Sequence, residues 1–165
     1  MCISNSFCPV PFDQQPLNEY FSLKTSFFFS WSTLQIRKYI NRLISIFCFL
    51  VIIFSPLILA IIPNNQNIIK SVILDLMIVD VIFIFVFIRL YLGWSYVIKR
   101  LVSATIFYEE SGWYDGQIWV KTTESLTKDR LVGLYEVTPF IKRVKYTFFM
   151  FIFLFIVENV VFYLL

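Results

Sequence analysis

Residues 43–62 read LISIFCFLVIIFSPLILAII, twenty positions without a charge, followed by Pro63 and the polar stretch PNNQN. A helix of that length rises about 30 Å, the thickness of the hydrocarbon layer of a bilayer, so this run is expected to cross a membrane. Two other runs have nearly the same reach: residues 71–88, which carry Asp75 and Asp80, and residues 147–165, which carry Glu158. The connection over residues 63–70 is short, which makes the first two spans antiparallel neighbours.

Composition points the same way. The chain has 165 residues, room for one compact unit, and 59% of them are hydrophobic, where soluble domains hold about 45–50%. Charged residues make up only 15%, and the mean hydropathy is +0.77. Such a chain cannot hide its apolar surface in water, which excludes an ordinary soluble enzyme, a disordered tail and a nucleic-acid arm. The absence of His removes imidazole acid/base chemistry and His-ligated zinc or haem. Cys2, Cys8 and Cys48 show no CxxC spacing, so a metal ribbon or thioredoxin-like motif is excluded, and Cys48 is expected as a small buried hydrophobe.

Lys and Arg fall unevenly along the chain. Four lie in residues 1–42, one (Lys70) in the first turn, and nine of the 14 in residues 89–146. Because untranslocated segments keep their basic residues, the N-terminal part and the long connection are expected on one side of the membrane. The net charge of +3 is thereby explained by topology rather than by nucleic-acid binding. The first 20 residues lack the charged and apolar regions of a signal peptide, so no cleaved leader is expected. Pro9, Pro11 and Pro16 favour a non-helical arm there. Phe27, Phe28, Phe29 and Trp31, beside Lys24, Arg37 and Lys38, suit either the headgroup boundary or a helix packed on the protein.

Residues 89–146 hold all four Gly and three of the four Trp, so specific structure is concentrated there. RLYLGWSYVIKRLV continues the second span without a proline and sets Tyr91, Trp94 and Tyr96 at headgroup level. ATIFYEES, GWYDG and QIWVK follow as a hairpin signature. ESLTKDRLVGLYEV reads as a short helix broken at Pro139. The expected fold is therefore a mainly α membrane protein: three transmembrane helices with a small α+β insert, a β-hairpin plus helix, between the second and third. Its parts are an extended arm and interfacial segment (1–42), an antiparallel helix pair (43–88), the insert (89–146) and a third spanning helix (147–165).

Three groups of residues are candidate sites. Intramembrane acids are expensive, which singles out Asp80 and Glu158 as a proton-sharing pair, the plainer alternative being that each bonds a neighbouring helix as structural glue. Asp75, five residues after Lys70, is expected as a snorkelling surface charge. In the insert, Glu109, Glu110, Asp115 and Asp129 offer oxygen ligands to a hard cation, or else pair with Lys121, Lys128 and Arg130. Trp113, Tyr114 and Trp119 are aromatic anchors for a protein partner, or equally the insert's own core. No phosphate loop, nucleophile elbow or acid/base dyad is present, and no cofactor is called for.

The segments CPVPFDQQPLNEY (8–20), RLYLGWSYVIKRL (89–101), YEESGWYDGQIWVK (108–121) and KDRL (128–131) resemble the plastid-encoded family called hypothetical chloroplast reading frame 36. That family also occurs in cyanobacteria and as nuclear-encoded plastid proteins of green plants, and Asp13 stands where it often has Glu. The resemblance, over roughly residues 8–145, implies an integral membrane protein and brings no established activity or cofactor. In a plastid, the side holding the N-terminus and the insert is the stroma. The chain is then expected to be a non-enzymatic, multi-pass plastid membrane component, an assembly, accessory or scaffold protein that meets the lipid bilayer and a protein partner. A carboxylate-based handler of protons or metal cations is the alternative.

Overall fold

In a computed structural model of the chain, the structure describes residues 9–61, 68–109 and 116–165. The PNNQN turn, residues 110–115 of the hairpin turn, Cys2 and Cys8 lie outside these residues. Along the chain come α1 (Pro16–Thr25), α2 (Phe27–Ser30), α3 (Ile36–Ile61), α4 (Ile68–Val102), β1 (Thr105–Glu109), β2 (Gly116–Val120), α5 (Thr123–Val132) and α6 (Thr138–Leu164). Three helical stretches are long and apolar enough to cross a membrane: Ile36–Ala60, Ile68–Val102 and Thr123–Leu164. The two-stranded antiparallel sheet falls between the second and third, as the sequence predicts.

The chain forms two compact units, residues 34–90 with 144–165, and residues 1–33 with 91–143. The first is helical. On α4, Val79, Phe83, Phe87 and Leu90 recur at intervals of three and four, the spacing of one helix face, and all are buried. Phe83 stacks on Phe151 of α6 with centroids 4.8 Å apart and planes 3° from parallel, and Phe47 of α3 joins both rings. Tyr39 and Thr147 add a hydroxyl pair at 3.0 Å. The outer faces are apolar as well: Phe49, Ile52, Phe153 and Val157 are exposed, which is compatible with lipid surroundings. Cys48 is exposed on this surface rather than buried, because the α3 face that meets α4 and α6 runs through Phe47 instead.

The second unit departs from expectation in three places. The N-terminal arm is helical from Pro16, which stands at the first helical position, where its missing N–H costs nothing and its fixed φ helps. Trp94 is fully buried instead of lying at headgroup level: its Nε1 donates to Ser32 Oγ at 2.9 Å, and Tyr20, Phe29 and Phe140 surround it. Phe29 is thus a packing residue, while Phe27 of the same aromatic run is 97% exposed. Finally, Pro139 does not break the last helix. Residues Gly133–Val137 form a widened π turn between α5 and α6, and Thr138 Oγ1 donates to Gly133 O at 3.0 Å. Widening the turn accommodates a proline that lacks a donor and would crowd the carbonyl four residues back.

Candidate functional site

The insert is built around the end of α4. The guanidinium of Arg100 ion-pairs with Glu19 of α1 and donates to Tyr96 Oη (2.8 Å), to the Gln14 carbonyl (2.9 Å) and to the Phe107 carbonyl on β1 (3.3 Å). One planar cation so ties the N-terminal arm, α4 and the sheet together. Burial pushes the Glu19 carboxyl up from its ordinary value, with Arg100 opposing. Lys121, just past β2, donates to the Arg100 and Leu101 carbonyls (2.8 and 3.1 Å) and reaches Asp129 Oδ2 at 2.6 Å. It satisfies carbonyls that the last turn of α4 leaves open. Burial pulls the Lys121 ammonium down, against the pull of Asp129. A third link joins Tyr20 Oη to Glu136, with Lys24 donating to both, at 2.8 and 3.2 Å.

The hairpin pairs Phe107 with Ile118 and Tyr108 with Gln117. Ile106 and Tyr108 point inward onto Val10, with Trp119 half-buried against them. Phe107, Ile118 and Val120 point outward and are 68%, 61% and 66% exposed. The two edges of the sheet differ. The odd-numbered residues of β1 turn their backbone groups away from β2, and side chains cover them. The Gln14 amide accepts from Glu109 N and donates to Glu109 O, both at 2.9 Å, while Arg100 takes the Phe107 carbonyl. By the alternation of an antiparallel ladder, Ile118 opposite Phe107 also turns its N–H and C=O outward. Among the described residues nothing pairs with them. The open edge is therefore β2, with an apolar face beside it.

The sequence-predicted residues are distributed as follows. Trp119 belongs to the insert's own small core; Trp113 and Tyr114 lie outside the described residues. Asp129 is held by Lys121, and Glu109 binds Gln14 through its backbone, whereas Glu110 and Asp115 lie outside the described residues. Among the described residues no group of three or more His, Cys, Asp or Glu is placed to hold a metal ion. Asp80 is 1% exposed, and both its carboxylate oxygens, like Glu158 Oε2, are buried without a hydrogen-bond partner among the described residues. Glu158 lies within electrostatic range of Asp80. Asp75 is buried, not a surface charge, because α3 packs over its side of α4 at Ser55, Ile58 and Leu59. Phe107 and Ile118 escaped the sequence reading, although period-two alternation from Ile106 and Tyr108 marks them as the opposite face.

A helical protein with three membrane-length helices and a hairpin insert is what these elements define. The chain belongs to the CGLD27-like family, described as conserved in the green lineage and diatoms 27, whose model matches residues 8–150. It is 54% identical over 151 residues to the uncharacterized protein ycf36 of Porphyra purpurea, covering 89% of each chain. The ycf36 protein of Cyanophora paradoxa is 43% identical, over 86% of this chain and 89% of its own. A chloroplastic protein of Arabidopsis thaliana, Conserved in the Green Lineage and Diatoms 27, is 42% identical over 84% of this chain but only 42% of its own length. No solved structure matches. The family is one of uncharacterised plastid proteins, and the apolar helices suit it to a membrane.

Proposed function

We propose that this protein is a non-enzymatic, multi-pass assembly or accessory component of a plastid membrane that docks a protein partner through its insert, with the N-terminus and residues 89–146 on the stromal side. The observation that carries the reading is the asymmetry of the sheet: one edge is closed by Gln14 and Arg100, and the other is left open beside Phe107, Ile118 and Val120. An open edge with an apolar face accepts an extended segment of another chain, main-chain bonds giving affinity and alternate side chains giving selectivity. The test is photo-crosslinking from position 120 in plastid membranes, compared with Ile118→Pro. That substitution removes an outward N–H and leaves the pairing to β1 intact. A protein adduct in the wild type that Ile118→Pro abolishes supports docking at this edge. An adduct to lipid alone, or one indifferent to Ile118→Pro, overturns it.

A second reading rests on the buried Asp80 and the half-buried Glu158, three of whose four carboxylate oxygens are buried without a hydrogen-bond partner among the described residues. Such groups belong to proton or cation handling when they serve a pathway. Proton or cation flux into liposomes holding the purified chain, lost in Asp80→Asn, supports it; flux equal to that of empty liposomes refutes it.

A further inference from the structure

Between α3 and α4 lies a cleft of about 120 Å³ lined by Ser55, Ile58 and Leu59 from α3 and by Ser71, Val72 and Asp75 from α4. Ser71 and Asp75 are four residues apart, so they share a helix face, and Ser55 opposes them from the other helix. Asp75 is 5% exposed and Ser71 6%. Asp75 Oδ1 is buried with no hydrogen-bond partner among the described residues, and none of the ion pairs of the described residues includes Asp75. A buried carboxylate without a counter-charge is costly, and a cleft open beside it is where a counter-charge fits.

We infer that this cleft binds a small monovalent cation, held by the Asp75 carboxylate and the Ser55 and Ser71 hydroxyls. The donor set is all oxygen, which selects hard s-block ions over transition metals. A single carboxylate neutralises one charge, whereas divalent ions of this class collect six or more oxygens, commonly from several acids. The volume has room for an ion together with several waters. Ile58, Leu59 and Val72 line the site with hydrocarbon, Ile58 being buried, and so low-polarity a wall strengthens the attraction. The site shares no residue with the hairpin edge, Asp80 or Glu158, so it stands or falls apart from both functional readings.

The test uses the full chain in lipid nanodiscs, with thermal unfolding followed in sodium, potassium and choline chloride at equal ionic strength, and sodium-23 relaxation as a direct probe. A ligand that binds only the folded state raises Tm saturably, here by about 4–8 °C at tens of times Kd. The expected result is such a rise in sodium or potassium but not in choline, abolished by Asp75→Asn, weakened severalfold in apparent affinity by Ser71→Ala, and kept in Asp80→Asn. Should Asp75→Asn fail to fold, the Ser55→Ala/Ser71→Ala double variant takes its place. Equal Tm in all three salts with no sodium-23 broadening overturns the site, as does a rise that survives Asp75→Asn or keeps full affinity in the double serine variant.

Discussion

The two units treat buried charge in opposite ways. In the unit that holds the hairpin, buried and half-buried charges are paired: Lys121 with Asp129, Arg100 with Glu19 and, more exposed, Lys24 with Glu136. In the helical unit, Asp75, Asp80 and Glu158 have buried oxygens and no cation among the described residues. Removing a partner from a paired charge strands the other, whereas removing an unpaired acid strands nothing. The charges of the insert are thus explained by folding. Those among the helices are not, and they ask for a ligand, a proton or a task.

The sharpest way to break that contrast is Asp129→Ala. The Lys121 side chain is fully buried, so losing its counter-ion is expected to cost about 3–5 kcal/mol and to open the insert to limited proteolysis at temperatures where the wild type resists. The double variant Lys121→Met/Asp129→Leu, which removes both charges, recovers most of the loss. If Asp129→Ala left protease resistance unchanged, the pair would not be holding the insert.

A milder perturbation asks whether charges or rings dominate in the same unit. A Cβ at Gly93 would run into Phe29 Cε1 and lie 2.7 Å from Cζ, so Gly93→Ala must displace a ring that is itself packed on Trp94. Overpacking of this kind costs about 1–3 kcal/mol. Gly93→Ala is expected to lower the unfolding temperature read by Trp fluorescence, and Phe29→Leu in the same chain to restore much of it.

What the residues disclosed in advance follows a physical divide. The three spans and the hairpin were legible because each is a local pattern: uninterrupted apolar length for residues 43–62, β-branched and aromatic runs around Gly for the strands. The insert's chemistry was not. Arg100 meets Glu19 across 81 residues, and Gln14 meets Glu109 across 95, pairings that no local window contains. Trp94 illustrates the same limit, since an aromatic at the end of a spanning helix fits a headgroup belt until Ser32 and Phe29 are known to cover it. Asp75 was misplaced for a like reason: its distance from Lys70 in sequence says nothing about α3 packing over it.

On the other side of the contrast, Asp80→Asn removes a charge that has no partner to lose. Its unfolding free energy is expected to stay within about 1 kcal/mol of wild type or to rise. A loss as large as that of Asp129→Ala, measured under the same conditions, would mean that Asp80 is paired after all.

The smallest effect concerns the link between Lys24, Tyr20 and Glu136, more exposed than the Arg100 and Lys121 pairs. Burial raises the Tyr20 hydroxyl above its ordinary 10.0, and the hydrogen bond from Lys24 to Tyr20 raises the lysine above 10.5. Both shifts mean that the folded chain keeps protons that the unfolded chain releases. Their contribution is therefore whole below about pH 10 and drains away as pH climbs through the folded values. Lys24 and Glu136 are 39% and 49% exposed, and solvent screening holds the effect under about 1 kcal/mol. Between pH 8.5 and 11 the wild type is expected to lose slightly more thermal stability than a Tyr20→Phe/Lys24→Met double variant, whose slope lacks these two groups. Parallel slopes would show that the Tyr20, Lys24 and Glu136 cluster is ordered without being coupled to folding, and that the charge balance of the insert rests on Arg100 and Lys121 alone.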